Sequence, residues 1–428
     1  MGTMETTPYH QLIKQAETAV ANQQYWQAVE LYTQLLSQTD PQTTDPAIKE
    51  CRLKALQQRG RLLGMLGEQI AALAAYEQYY LEAGNSQQAV DALVRIGDQS
   101  RGLGKLNRAL EAYREALVLS EALNLTIGRA QALGGMGIAF MMMGQMEEAI
   151  NHLYKANSLF AQTGDIIGQM KAQNRIGVVY AMHGALDKAI TAFQASQQLA
   201  RQANRPLDLV MTLNNLGECH QVLQDMEEAL KYHQEALTLA ESGDFRIVAG
   251  DISRNLGLEL MYSGRVQEGL PYLERALKIA RETNSLELHQ TSLYALSLAY
   301  VELGNVEKAK EYAQALKELA EKENVRAHIA EALYALGLCH QKAGDINSAQ
   351  EVWQQAIFLA HDTERRTLLW QIHAALAQIS PPSLAAVHNR IAAEVIQQIA
   401  EPIEDETLCS RFLNAPTIKP ILQQANAE

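Results

Sequence analysis

Apolar and small residues recur along most of this chain at helical spacing, and the whole pattern then repeats. The stretch Met211–Ala240, MTLNNLGECHQVLQDMEEALKYHQEALTLA, shows one unit of it. Apolar positions three and four apart predict two amphipathic helices, with Gln224-Asp225 at a tight turn between them. The first helix carries Leu216-Gly217 in its middle. The second carries Ala229, Tyr232 and Ala236. The same arrangement returns every 40 residues on both sides.

Three rows of small residues are locked to that period. First helices carry Gly60, Gly97, Gly137, Gly177, Gly217, Gly257, Ser297 and Gly337. Turns carry Gly67, Gly104, Gly144, Gly184, Gln224, Gly264, Gly304 and Gly344. Second helices carry Ala72, Ala109, Ala149, Ala189, Ala229, Gly269, Ala309 and Ala349. A glycine inside a helix costs about 1 kcal/mol relative to alanine, so its recurrence predicts close approach by a neighbouring helix. Glycine at the turn suits a left-handed cap, and Asp225 is placed to cap the next helix where the glycine is missing. A fixed period of this length means a stacked array.

The ends depart from the period. Tyr9–Ala21 and Tyr25–Ser37 predict an irregular helix pair, followed by the polar loop Gln38–Asp45 and a helix start at Asp45-Pro46. Residues 1–45 are therefore read as an irregular first unit, 46–361 as about eight repeats and 362–428 as capping helices and a tail. In that last part Glu364–Ile379 predicts a helix ended by Pro381-Pro382, and Ser383 a cap for a helix running through Ile399. An acidic link, Glu401–Glu406, then leads into Leu408–Gln424. The last apolar face of an array needs a distinct cover, and these residues are expected to supply it.

First helices ending LGECHQVLQ, IGVVYAMHG, LGLELMYSG and LGLCHQKAG resemble the first helix of a tetratricopeptide repeat. MEEALKYHQEALTLA, LNRALEAYREALVLS and VEKAKEYAQALKELA resemble the second. The resemblance covers about residues 9–361, and the 40-residue period is similar to the long-helix subgroup found in Pins-type adaptors and bacterial signalling regulators. It implies an all-α, right-handed superhelical solenoid of antiparallel helix pairs whose first helices line a concave groove. The segment LCSRFLNAPTIKPILQQ also resembles the short ending that follows such repeats in large bacterial regulators.

Composition narrows the function. Hydrophobic residues make up 47% of the 428, enough for a core, and aromatics only 6%, as closely packed helices require. A net charge of -13 argues against non-specific nucleic-acid binding. No run of 18 apolar residues and no continuous apolar stretch over residues 1–24 is present, so neither a membrane span nor a signal peptide is expected. Cys219 and Cys339 lie three repeats apart, too far for a disulfide, and with Cys51 and Cys409 read as reduced thiols of a cytoplasmic protein.

No catalytic motif stands out, and the chain reads as a non-enzyme. Gly134-Gly135-Met136-Gly137 lies inside a helix with no preceding strand, which favours helix packing over a phosphate loop. Cys219-His220 and Cys339-His340 are adjacent pairs whose members point to different helix faces, so neither metal nor cofactor is expected. His152, His183 and His233 read as surface or ridge positions. Met141, within the cluster Met136–Met146, marks a candidate apolar patch.

The resemblance implies which positions face the groove: three and two before the helical glycine, then one and four after it. These give Asn174-Arg175, Asn214-Asn215 and Arg254-Asn255, with Lys171, Glu218 and Gln221 beside them. Amides can donate to and accept from a peptide backbone, and guanidinium can grip a carboxylate. The family implies that Asn215 and Asn255 hold a ligand main chain. Tyr294-Ala295, Tyr334-Ala335, Leu298 and Leu338 predict a more apolar C-terminal half. The expected partner is a protein or peptide, extended or helical, bound by a scaffold or adaptor. The alternative is a ligand-responsive arm of a bacterial signalling system, although no effector domain is visible in the chain.

Overall fold

A computed structural model describes residues 8–426; the first seven residues of the irregular N-terminal unit lie outside the described residues. These residues form twenty-two α-helices packed in consecutive pairs. They divide into two compact units, one ending at Val179 and the other beginning at Tyr180.

The first unit holds α1 (Pro8–Ala21), α2 (Tyr25–Ser37), α3 (Pro46–Met65), α4 (Gln69–Ala83), α5 (Gln87–Gly102), α6 (Leu106–Ala122), α7 (Thr126–Met142) and α8 (Met146–Thr163). The unit boundary falls within α9 (Ile166–His183). At the irregular N-terminal turn, Asp45 accepts from the Ala47 and Ile48 amides, with Pro46 at the first helical position. The buried Arg52 then fastens the preceding loop. Its guanidinium donates to the Leu36 and Thr39 carbonyls and forks onto Glu82 at 2.9 and 2.7 Å. Breaking such a buried pair costs about 3–5 kcal/mol.

The second unit continues with α10 (Leu186–Gln202), α11 (Pro206–Val222), α12 (Met226–Ser242), α13 (Arg246–Tyr262), α14 (Val266–Thr283), α15 (Leu286–Glu302), α16 (Val306–Lys322), α17 (Arg326–Lys342) and α18 (Ile346–Asp362). Then come α19 (Arg366–Ile379), α20 (Pro382–Ala400), α21 (Glu406–Leu413) and α22 (Lys419–Asn426). Ser383 lies inside α20 rather than at its start. Pro381 occupies the cap position, and no side chain caps this helix.

The small residues have a common cause. At Gly60, Gly97, Gly137, Gly217, Gly257 and Gly337 the first helix receives a side chain from its partner. A Cβ at Gly97 would lie 2.4 Å from the Tyr113 ring, one at Gly137 2.6 Å from Leu153, and one at Gly257 2.4 Å from Leu273. At Gly217 the intruder is His233 and at Gly337 it is Trp353. Tyr113, Leu153, Phe193, His233, Leu273, Ala313 and Trp353 thus form a further period-40 row, every member 0–1% exposed. Where the inserted residue shrinks to Ala313, the receiving position relaxes to Ser297, which is itself 0% exposed. Gly134-Gly135-Met136-Gly137 follows the same logic, because Gly135 lies against Tyr113 and Gly137 against Leu153. Gly257 and Gly269 bring α13 and α14 closer still, with a Cβ at Gly269 only 2.5 Å from the Gly257 carbonyl oxygen.

Turns within the pairs adopt the left-handed conformation, at Gly104 (φ 72°) and at Gln224 (φ 58°) among others. Turns between pairs do so too, at Asn124, Gly164, Asn204, Asp244, Asn284, Asn324 and Glu364. Asn and Asp tolerate this region better than other side-chain-bearing residues, which accounts for most of that row.

Candidate functional site

Within the second unit, α11 and α13 expose apolar side chains on one face, at positions where α7 and α9 carry the likewise exposed Ile127, Met142, Ile167 and Met182. Leu207, Met211, Val222, Ile247 and Tyr262 are 41, 47, 39, 47 and 41% exposed. At 100° per residue the α11 members share an arc of about 120° with Asn214, Asn215, Glu218 and Gln221. The α13 members share the same arc with Asp251 and Arg254. Among the described residues, no large hydrophobic side chain is exposed on the partner helices α10, α12, α14 or α16. One face of the first helices therefore carries apolar ends around a polar middle.

The polar middle is a connected network. Asn214 Nδ2 donates to Glu218 Oε1 at 2.9 Å. Asn255 Nδ2 reaches Asn214 Oδ1 at 3.1 Å and Glu218 Oε1 at 3.3 Å. Beneath them His233 Nδ1 lies 2.6 Å from Glu259 Oε1, with both side chains 0% exposed. His233 Nε2 faces the Asn214 carbonyl at 3.2 Å and the Asn255 amide at 3.3 Å, donating to the first or accepting from the second according to tautomer. Burial pushes the Glu259 carboxyl up, and its hydrogen bond to His233 pulls it back down. His233 is thus a core residue, not the ridge position its polarity suggests. His152 is half-buried and His183 exposed.

This network decides what is left for a ligand. Asn255 is 1% exposed and its amide is committed to Asn214 and Glu218. Asn214 and Glu218, half-buried, hold each other. Asn215 and Gln221 are half-buried on the same face. Arg254 is half-buried and its Nε–H finds no acceptor. Burial raises the neighbouring Asp251 carboxyl, Arg254 opposes the rise, and Glu218 and Glu287 add to it.

Toward the C-terminal end, Tyr294 and Tyr334 are half-buried, packed against a core that contains Leu298. Burial raises the phenol of Tyr294 well above its ordinary value and that of Tyr334 likewise. Tyr262 is 41% exposed, yet surrounding protein pushes its phenol up to about 12 by desolvation. Glu331, which contributes to the rise at Tyr262 and Tyr294, is held by His328 at 2.6 Å and Arg365 at 3.4 Å.

In the first unit, Lys171 is exposed, and Asn174 and Arg175 are half-buried. Burial lowers the Arg175 guanidinium, which lies over α7: a Cβ at Gly134 would stand 3.3 Å from its terminal nitrogen. Met136 is buried, Met141 half-buried, and Met142 and Met143 are 49 and 38% exposed. The exposed ends of α11 and α13 went unread in the sequence. Their signal was present as Leu207 and Ile247, one period apart, and Val222 and Tyr262, also one period apart.

Among the described residues no helix is long and apolar enough to cross a membrane, and no three His, Cys, Asp or Glu stand together as a metal set. All four cysteines are free, three of them buried.

Models of the tetratricopeptide repeat match residues 168–242, 208–282, 254–324 and 331–357. No curated protein matches the chain in sequence. Solved structures do match in fold. The apo form of RapI superposes with a TM-score of 0.62 at 14% identity, covering 83% of this chain and 98% of that one. The apo form of the quorum sensor NprR from B. thuringiensis gives 0.60 at 14% identity, covering 83% and 99%. A Rap protein complexed with competence and sporulation factor gives 0.54 at 15% identity, covering 84% and 99%. At these identities the likeness is one of fold.

Proposed function

We propose that this chain, which belongs to the tetratricopeptide-repeat proteins, is a non-catalytic, peptide-responsive regulatory arm. The observation that carries this reading is the exposed face of α11 and α13. Apolar ends flank a polar middle there, while among the described residues the partner helices α12 and α14 expose no large hydrophobic residue. A peptide lying across the two helices would bury Met211 and Ile247 and meet Gln221 and Arg254 with its backbone or carboxylate. Burying one such apolar side chain contributes roughly 1.5–3 kcal/mol. The fold shared with a quorum sensor and with a Rap protein complexed with competence and sporulation factor supports a responsive arm over a passive scaffold.

Display selection of short random peptides on the full chain tests this. The expected result is an enriched peptide family whose affinity falls at least tenfold in the Met211→Glu/Ile247→Glu variant. It should also change the scattering dimensions of the wild-type chain at saturation. Selected peptides that bind the variant as well as wild type would remove the α11–α13 face from consideration. Binding without any change in dimensions would leave a scaffold instead of a responsive arm.

A further inference from the structure

The repeats of a solenoid touch their neighbours in sequence. The C-terminal tail of this chain breaks that rule within the second unit. Lys188 Nζ lies 2.8 Å from Glu404 Oε1, and the Asp405 amide donates to Asp187 Oδ2 at 3.2 Å. Arg411 pairs with Asp225, and Thr417 Oγ1 donates to Gln224 Oε1 at 2.9 Å. These partners stand 186 to 218 residues apart in the chain. The tail is ordered by its own apolar anchors, with Phe412 2% and Ile418 0% exposed, and by the packing of α21 and α22 on α20.

Three irregularities of the repeat gather where the tail lands. Gln224 stands where the other turns carry glycine and holds a left-handed φ of 58°, and its side chain is the acceptor for Thr417. Asp225 occupies the cap position of α12 but makes no cap hydrogen bond, because its carboxylate faces Arg411 and His220. A Cβ at Gly264, Gly304 or Gly344 would meet nothing within 4 Å, whereas one at Gly184 would lie 3.3 Å from Pro402. The edge also matches the tail in charge, Lys188 against Glu404 and Asp225 against Arg411.

We propose that the turn edge of α10 and α12 is a docking site for residues 402–418 of the same chain, and that this strap opens and closes as a unit. Closed, it ties the last helices to the start of the second unit. The Lys188–Glu404 pair is exposed, at 40 and 70%, and such a pair contributes little, whereas Arg411 meets an Asp225 that is only 12% exposed, so the strap's polar hold rests mainly on that second pair. The inference does not rest on the peptide-binding reading, and its test uses no groove ligand.

Hydrogen exchange on the full chain provides the test, comparing wild type, Lys188→Glu/Arg411→Glu and the charge swap Lys188→Glu/Glu404→Lys. In the first variant amides of residues 403–418 should exchange about tenfold faster or more, with α13 to α17 unchanged. The swap should move them back toward wild type. A labelled synthetic peptide of residues 400–424 should bind a chain opened from the tail side, Glu404→Lys/Arg411→Glu, more tightly than wild type. Unchanged tail protection in the first variant would overturn the proposal. So would equal loss of protection across α13 to α17, since the tail would then belong to one cooperative core. Tail protection that rises with protein concentration would overturn it in favour of a tail supplied by a second copy.

Discussion

Two repeats of the second unit end their first helices on the same letters and put them to different use. Cys219-His220 followed by Asp225, and Cys339-His340 followed by Asp345, each place an imidazole Nδ1 3.4 Å from a carboxylate. Asp345 stays 48% exposed and caps α18 by accepting from the Ser348 amide at 3.2 Å. Asp225 is 12% exposed, caps nothing and holds Arg411 of the tail. Deeper in, Gly337 receives Trp353, whose Nε1–H donates to the Tyr334 carbonyl at 3.0 Å. Gly217 receives His233, whose Nε2 reaches the equivalent carbonyl of Asn214 at 3.2 Å. The framework accepts either an indole or an imidazole at that position. The imidazole brings a second nitrogen that needs a partner, and Glu259 of the next repeat supplies it. A polar insert thus links neighbouring repeats, where the apolar one serves its own.

The sharpest way to break this comparison is to remove the two inserts. Trp353→Ala should cost about 3–5 kcal/mol in urea unfolding, through lost burial and the cavity left behind. His233→Leu should cost a similar amount, about 3–5 kcal/mol, because the Glu259 carboxylate is left buried without its partner. The double variant His233→Leu/Glu259→Leu should recover most of that loss. If it recovers none, the pair is not what makes His233 necessary.

The caps come next. Asp345→Ala should destabilise the first turn of α18 by about 0.5–2 kcal/mol, read as faster amide exchange there. Asp225→Ala should leave α12 unchanged and loosen the tail instead. Equal fraying of both helices would erase the distinction.

The turns follow in size. Gly344→Gln should cost about 1 kcal/mol for a side chain in the left-handed region, and Gln224→Gly should return a similar amount to the backbone. The net gain at Gln224→Gly should be smaller, since Thr417 loses its acceptor. The smallest effect is a titration. Burial lowers His220, outweighing the upward pull of Asp225. A lowered imidazole supports the fold while neutral, above its ordinary value near 6.5, and that support fades as pH falls through the depressed pKa. NMR titration should place His220 below 6.5. Burial opposes the charge, so Asp225→Asn should lower it further.

The architecture was legible because it depends on local spacing. The glycine and alanine rows gave the period, and the period gave the helix pairs. The fates of individual polar groups were not. Asn255 carries the letter expected of a ligand-holding amide, yet His233 and Glu218 draw it inward. Asp225 has the letter of a cap, and Arg411, 186 residues later, takes it away. No local pattern encodes such a contact. Other signals were present and went unread, among them the left-handed row Asn204, Asp244, Asn284 and Asn324 and the buried row through His233.

The strap also bears on how such a chain changes over generations. An open stack tolerates gain or loss of a unit, since each copy meets only the next. Here a 40-residue insertion between α12 and α19 would carry Glu404 and Arg411 one step past Lys188 and Asp225. The number of units in that stretch is counted by its ends, and duplication there would have to move the docking turn as well.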